Sequence, residues 1–384
     1  MFVLIAPLAG ISATPNPHKR RFPHGQYLAY VGTYTTKTDS RGIYAFRFDA
    51  AAGQLSTIGL AAESGDPSFV AVHPSGKYLY AVNEVGNFGG GNSGAVSAFA
   101  IDRKTGKLTF LNQVATRGAG PCHVSLDGTG KFVLVANYDG GSVAVFPVQA
   151  DGSLGKDSAF VQHTGSGPNK ERQEAPHAHW VGTSPDNHFA LAVDLGLDEV
   201  LIYRFDSSKG SLAPNDPPFV KVNPGAGPRH LAFARNGQFA YVLAEIENAV
   251  TAFAYSQKSG SLSTLQTVST LPKNYSGPKE AAELIVHPTG KFLYASNRAG
   301  VDSITVFAID PAKGTLLLVG QYSTKGKTPR HFAIDPTGTF LLAGNEESNN
   351  IVVFKIDPAT GALTPTGQTM EVPSPVCITF VPAE

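Results

Sequence analysis

Histidine, arginine and glutamate recur at one short position along this chain, in most copies just after a proline. The stretches are GPCH (Gly120 to His123), PHAH (Pro176 to His179), GPRH (Gly227 to His230), AAEL (Ala281 to Leu284) and TPRH (Thr328 to His331). Aligned, one column reads Ser68, Cys122, His179, Arg229, Ala282, Arg330, Val376, and the next reads Phe69, His123, Trp180, His230, Glu283, His331, Cys377. A second group of polar residues, Glu84, Tyr138, Glu245, Arg298 and Glu346, ends another set of hydrophobic runs. These side chains suit polar chemistry on a small anion. An imidazole takes and returns protons near neutral pH. A guanidinium stays protonated and offers a rigid fork of donors for an oxyanion, a carboxylate or a phosphate. A glutamate orients either of them or exchanges a proton itself. Buried charge is costly unless paired or used, so a purely structural ring would not need this set.

Such residues need elements that converge, and the chain provides them by repetition. One pattern, a Pro-x-Gly-type turn followed by an aromatic, hydrophobics and a polar end, recurs as HPSGKYLYAVNE (His73 to Glu84), LDGTGKFVLVANYD (Leu126 to Asp139), TSPDNHFALAVDLG (Thr183 to Gly196), ARNGQFAYVLAE (Ala234 to Glu245), HPTGKFLYASNR (His287 to Arg298) and DPTGTFLLAGNE (Asp335 to Glu346). A seventh copy is divided: QYLAYVGTY (Gln26 to Tyr34) lies at one end and SPVCITFVP (Ser374 to Pro382) at the other. A period of about 50 residues built from short strands points to a propeller or solenoid. Division between the termini points to a closed ring, in which the last segment pairs with the first and leaves no open sheet edge. The second half of each repeat adds a strand, an Asp/Gly turn and another strand, as in DSITVFAIDPAKGTLL (Asp302 on). The expectation is all-β: a seven-bladed β-propeller with four antiparallel strands per blade, one domain over residues 26–384, preceded by a leader over residues 1–25.

In such a blade the start of the first strand and the end of the second lie on the same edge, so both polar groups meet at one mouth of the central channel. A concave site with a few convergent polar groups is the default ligand site. Arg229, Glu245, Arg298 and the His177/His179 pair break the repeat on neighbouring blades and are read as functional. His123, His230 and His331 fit a structural or a functional role equally. His73 and His287 lie in turns at the opposite edge.

Composition narrows the partners. The 30 basic residues balance 30 acidic ones, with no basic tract, which argues against a nucleic-acid partner. Two cysteines, Cys122 and Cys377, are too few for a disulfide framework and fall on non-adjacent blades. Residues Met1 to Ile11 are apolar but too short to span a bilayer, and no other stretch is a membrane span. They are similar to the hydrophobic part of a secretory signal but lack a preceding positive charge and a small-x-small cleavage site. Both a cytoplasmic location and export through a truncated signal stay open.

Taken together, PHAH, GPRH, the glutamate sixteen residues after Arg229, SNR (Ser296 to Arg298) and TPRHF (Thr328 to Phe332) resemble the seven-bladed β-propeller lactonase family, which includes propeller-type 6-phosphogluconolactonases and 3-carboxy-cis,cis-muconate lactonizing enzymes. The likeness runs from about Gln26 to Pro382. It implies lactone chemistry with His179 or His177, Arg229, Glu245 and Arg298 as the catalytic set. The substrate it implies is a small anionic lactone such as 6-phosphogluconolactone. His179 or His177 would deprotonate water, Arg229 and Arg298 would bind the anion or oxyanion, and Glu245 would assist. His123, His230, Glu283, Arg330, His331 and Lys279 would bind substrate, with Arg330 and Lys279 as phosphate contacts. The alternatives are a lactonizing enzyme acting on a carboxymuconate-like dicarboxylate and a non-enzymatic binding propeller. No cofactor is expected. Asn83, Asn137, Asn297 and Asn345 recur at equivalent places and are read as turn caps rather than metal ligands, and His-Ala-His has no third zinc ligand by spacing.

Overall fold

The computed structural model describes residues 25–384, so the expected leader lies outside the described residues except for its last position. The strands, numbered β1 to β28 in chain order, form seven four-stranded antiparallel sheets. Six sheets use consecutive strands. The remaining one has the order β28-β1-β2-β3, so β28 (Pro375–Pro382) is the innermost strand of the first blade. It pairs with β1 (Gln26–Thr33) from Tyr27↔Pro382 to Thr33↔Pro375, which closes the ring as the divided repeat predicts.

The repeated aromatic and the repeated turn glycine turn out to be partners across blades. Gly314 lies in the outer turn of the sixth blade with φ 68°, and a β-carbon there would sit 2.3 Å from the ring of Phe239 in the fifth. Gly361 stands in the same way, at φ 77°, over Phe292 of the preceding blade. Glycine is needed at both places for the positive φ and for the close approach. His73 and His287 also join blades. Each accepts or donates at Nδ1 within its own turn, to Ser75 and Thr289, and reaches the carbonyl of Gly130 or Gly338 in the next blade.

The second strands form the driest layer. In β9 (Phe132–Asn137), β17 (Phe239–Ala244), β21 (Phe292–Asn297) and β25 (Phe340–Asn345) every residue is buried. The asparagines that end β9, β21 and β25 cap the crossover loops: Asn137 Nδ2 donates to the Thr116 carbonyl, Asn297 Nδ2 to the Thr270 carbonyl and Asn345 Nδ2 to the Thr324 carbonyl. In the fourth blade Asp194 replaces this asparagine and accepts from the backbone N–H groups of His177, Gly196 and Leu197, while His163 closes on its other oxygen at 2.6 Å.

The innermost strands carry a regular defect. In β8 (Pro121–Leu126), Pro121 pairs with Asn137 and His123 with Ala136, leaving Cys122 as an extra residue. The same bulge singles out His179 in β12 (Ala178–Thr183), Arg229 in β16 (Pro228–Phe233), Arg330 in β24 (Pro329–Ile334), and the Ala282–Glu283 step in β20 (Ala281–Val286). A bulge re-aims side chains, and here it does so where the strands converge.

Candidate active site

The mouth of the channel holds a cavity of about 210 Å³. Bulged residues of the inner strands supply Cys122, His179 and Arg330, and the ends of second strands supply Glu84, Tyr138, Glu245 and Arg298. Glu280 lines it from just before β20, and Arg172 reaches it from the loop between β11 (Ala159–Gln162) and β12. That loop is pinned by the fully buried Gln173, whose Nε2 donates to the Leu195 carbonyl at 2.8 Å and to Asp198 at 2.7 Å.

Glu245 is the hub. Its carboxylate is 4% exposed and meets Arg172 at 2.5 Å, Arg229 at 3.0 Å and Arg298 at 3.1 Å. Burial alone would raise its pKa, but Arg298, Arg229 and Arg172 together hold it at about 2. A carboxylate held this low is a fixed anion at neutral pH and a weak base, so it orients guanidiniums rather than exchanging protons. The three arginines nonetheless keep spare capacity. Arg298 Nε is buried with no hydrogen-bond partner among the described residues, although its NH2 donates to the Ala281 carbonyl at 3.2 Å. Arg330 forms no ion pair among the described residues. Instead its NH2 donates to the Tyr34 hydroxyl at 2.6 Å and its guanidinium lies 5.1 Å from the centre of that ring. Tyr34 in turn donates to Glu84, which also accepts from Ser68. Burial pushes the Glu84 carboxyl up, against the pull of Arg330.

His179 lies in the wall, with Nδ1 3.6 Å from the Cys122 sulfur. Burial and then Arg229 push its pKa well below 6.5, so the ring is neutral at physiological pH. The Cys122 thiol is pushed well up, by burial and then Glu84, and remains protonated.

A second layer lies beneath. A residual space of about 10 Å³, close to the minimum for one water, is bounded by Phe69, Arg229, His230, Glu283 and His331 among others. Arg229 is 3% exposed and sits between the layers. Its Nε donates to Glu245, and its NH1 donates to the Ala282 carbonyl and to His230 Nε2 at 3.1 Å. Burial and the neighbouring Arg330 and Arg298 lower its pKa to about 10, which leaves it a cation at neutral pH. His123 packs on Phe69 at 4.4 Å between ring centres and accepts from the Val181 N–H at 3.4 Å.

The structure thus brings His179, Glu245, Arg298 and Arg330 to one cavity, with Arg229 directly behind. It places His123, His230, Glu283 and His331 one layer deeper than the substrate-binding position expected for them. His177 stays outside the cavity lining: its ring stacks on Tyr138 at 4.4 Å, Nδ1 contacts the Tyr138 carbonyl at 3.1 Å and Nε2 faces Glu174 at 3.2 Å. His177 precedes β12, and the bulge at His179 breaks the alternation that would otherwise set residues two apart on one face. Lys279 is exposed and does not line the cavity, because it sits on the loop before β20 while its neighbour Glu280 turns inward. Arg172 and Tyr34 were missed. Tyr34 ends the divided repeat copy, at the place of Glu84 and Glu245 in theirs, while Arg172 comes from a loop outside the repeat and stands among Lys170, Glu171 and Glu174 with nothing in sequence to single it out. Among the described residues no group of three or more His, Cys, Asp or Glu side chains is arranged to hold a metal, and no helix is long and apolar enough to cross a membrane.

A seven-bladed propeller with a polar cavity at its channel mouth is the architecture of the propeller lactonases. The chain belongs to the family described as "Lactonase, 7-bladed beta-propeller", whose model matches residues 28–380, and it is a lactone hydrolase. It is 42% identical to the 6-phosphogluconolactonase of Bacillus subtilis over 93% of this chain and 99% of that one. It is 36% identical to the 6-phosphogluconolactonase of Formosa agariphila over 84% and 90%. The crystal structure of a periplasmic gluconolactonase from Pseudomonas aeruginosa superposes with a TM-score of 0.88 at 37% identity, covering 94% of this chain and all of that one.

Proposed function

We propose that the enzyme hydrolyses 6-phosphogluconolactone at the channel mouth. The observation that carries this reading is the arginine cluster: four guanidiniums converge, three share one carboxylate, and among the described residues Arg298 Nε has no hydrogen-bond partner and Arg330 no ion pair. Donors left over in such a cluster suit a substrate that brings its own negative charge. The two relatives bearing the name 6-phosphogluconolactonase support the choice of lactone.

His179 acts as the general base. The Cys122 thiol has the carbonyls of Ala178 and His179 as acceptors, each at 3.6 Å, which frees its sulfur to accept Nδ1–H of His179. That tautomer leaves Nε2 unprotonated and without a protein hydrogen bond among the described residues. The neutral ring takes a proton from water as the oxygen attacks the lactone carbonyl. The carbonyl oxygen becomes an oxyanion facing Arg298, with Arg229 adding positive charge from behind. Collapse breaks the ring C–O bond, and the departing alkoxide takes the proton back from His179. The product is the open-chain acid, and the histidine ends neutral as it began. Glu245 holds the arginines in place. Arg172, at the exposed rim, and Arg330, across the cavity, meet the phosphate.

The experiment is a pH-stat assay on freshly generated 6-phosphogluconolactone, with spontaneous hydrolysis subtracted, comparing wild type with Arg229→Ala. Acceleration that collapses by about 10²–10³-fold in the variant supports the reading. No acceleration by folded wild type removes this substrate and shifts the test to unphosphorylated lactones and carboxymuconates.

A further inference from the structure

We infer that His230 and Glu283 are positioning residues that fix Arg229, through a one-way chain of polar contacts running beneath the cavity from the ring-closing strand. This rests on the role given to Arg229 above. Its links come from four blades. The Ile378 N–H of β28 donates to His331 Nδ1 at 3.2 Å, so the His331 ring proton sits on Nε2. That nitrogen faces Glu283 Oε2 at 3.2 Å. Glu283 Oε1 lies 3.2 Å from His230 Nδ1 and also accepts the Leu284 N–H at 2.8 Å. His230 Nε2 lies 3.1 Å from Arg229 NH1.

The direction of the chain is forced. Arginine only donates, so His230 Nε2 must offer a lone pair. The His230 proton then sits on Nδ1 and points at Glu283. Glu283 Oε1 therefore accepts from His230 and from the Leu284 N–H, while Oε2 faces His331 Nε2 at ion-pair distance without a hydrogen bond among the described residues. All of these residues are buried, His230 at 3% exposure and Glu283 at 5%, and none lines the 210 Å³ cavity. Their effect on substrate passes through Arg229. A second-layer acid that sets an imidazole tautomer is the same device that orients histidines in metal sites and catalytic triads. Here the imidazole orients a guanidinium.

Two isosteric variants separate positioning from mere packing. Glutamine places its terminal amide where His230 Nε2 stands, so His230→Gln keeps an acceptor for Arg229 and gives up Glu283. Asparagine places its amide where Nδ1 stands, so His230→Asn keeps Glu283 and gives up Arg229. With 6-phosphogluconolactone as substrate, kcat of His230→Gln should stay within about tenfold of wild type, while His230→Asn should fall about 10²-fold at nearly unchanged KM, the size expected when an oxyanion donor is displaced. Equal losses in the two variants, or no loss in either, would overturn the inference. Glu283→Leu provides a check that leaves His230 intact. It removes the acceptor of the His230 Nδ1–H, so kcat should fall while Arg229, Glu245 and the cavity wall stay chemically unaltered; full activity in this folded variant would also overturn it. Arg229→Ala assayed alongside keeps the two readings apart. If it retains the wild-type rate, the role of Arg229 itself fails. If it collapses while His230→Asn does not, only the positioning chain fails.

Discussion

Replacing Glu245 by glutamine should cost stability and activity together, and the stability loss should have a defined pH dependence. The carboxyl is buried and held at about 2 instead of 4.5 by Arg298, Arg229 and Arg172. At about 1.4 kcal/mol per tenfold, ionised Glu245 contributes about 3 kcal/mol to folding at pH 7. The sign follows from the depressed value. The contribution is complete above 4.5, where the carboxyl is ionised in both states, and is lost as pH falls towards 2, leaving about 1 kcal/mol at pH 3. Removing one partner of a buried ion pair costs about 3–5 kcal/mol by a separate route, which gives the same size. Urea unfolding of wild type and Glu245→Gln at pH 7 and pH 3 measures the difference and cancels the other carboxyls. The gap should be about 3 kcal/mol at pH 7 and shrink by more than half at pH 3, and the folded variant should hydrolyse lactone at least about 10²-fold more slowly. A gap below about 1 kcal/mol at pH 7, or one equally large at pH 3, would refute the description of Glu245 as the shared counter-ion.

His179→Ala should lower kcat by about 10²–10⁴-fold without a matching loss of stability, read by kinetics beside thermal unfolding; an undiminished rate removes His179 as the base. Arg172→Ala should raise KM for the phosphorylated lactone about 10–100-fold, the value of one charge-assisted hydrogen bond, and leave KM for the unphosphorylated lactone within about twofold. Lys279→Ala should change neither, since that side chain lies in solvent. Prolonged dialysis against a chelator should leave the rate intact; activity lost and then restored by calcium or zinc would contradict the metal-free assignment.

The fold was legible because a ring is written redundantly. Seven copies of one pattern, one of them divided between the ends, specify blade number, strand number and closure without any knowledge of contacts, and β28 pairs with β1 as that division requires. The candidate site was legible where it rides on the repeat, because Arg229, Glu245, Arg298 and Arg330 all fall at the two blade positions, first-strand starts and second-strand ends, that meet at the channel mouth. It was illegible where the chain leaves the repeat. Arg172 acts through a loop whose course depends on Gln173 reaching Leu195 and Asp198, contacts with no period to reveal them. Lys279 failed for the converse reason: a lysine beside an inner strand is placed by sequence near the mouth, but only the turn of the preceding loop decides that Glu280 faces in and Lys279 faces out.

The harder question in sequence was whether His123, His230 and His331 serve structure or function, since each directly follows a residue already assigned to the channel. Regular alternation would send one of two neighbours into the channel and the other into the blade. The bulge in each inner strand removes that choice. With Arg229 extra in the ladder, both Arg229 and His230 face the axis, one above the other, and the same holds for Arg330 and His331. The upper residue meets the cavity, or stands directly behind it in the case of Arg229, and the lower one supports it. Two consecutive polar residues at a strand start, flanked by a proline that fixes the strand's beginning, are therefore the sequence mark of a two-layered site in this fold, one layer for substrate and one for orientation. Deleting the bulge tests this directly. Removing Cys122, the extra residue of β8, should leave His123 opposite Ala136 and against Phe69 but take away the upper side chain of this blade, so the neighbouring His179 contact is lost while the other six sheets keep their pairing. A deletion variant that folds with His123 turned away from Phe69 would show that the extra residue, not the pairing that follows it, aims the lower side chain.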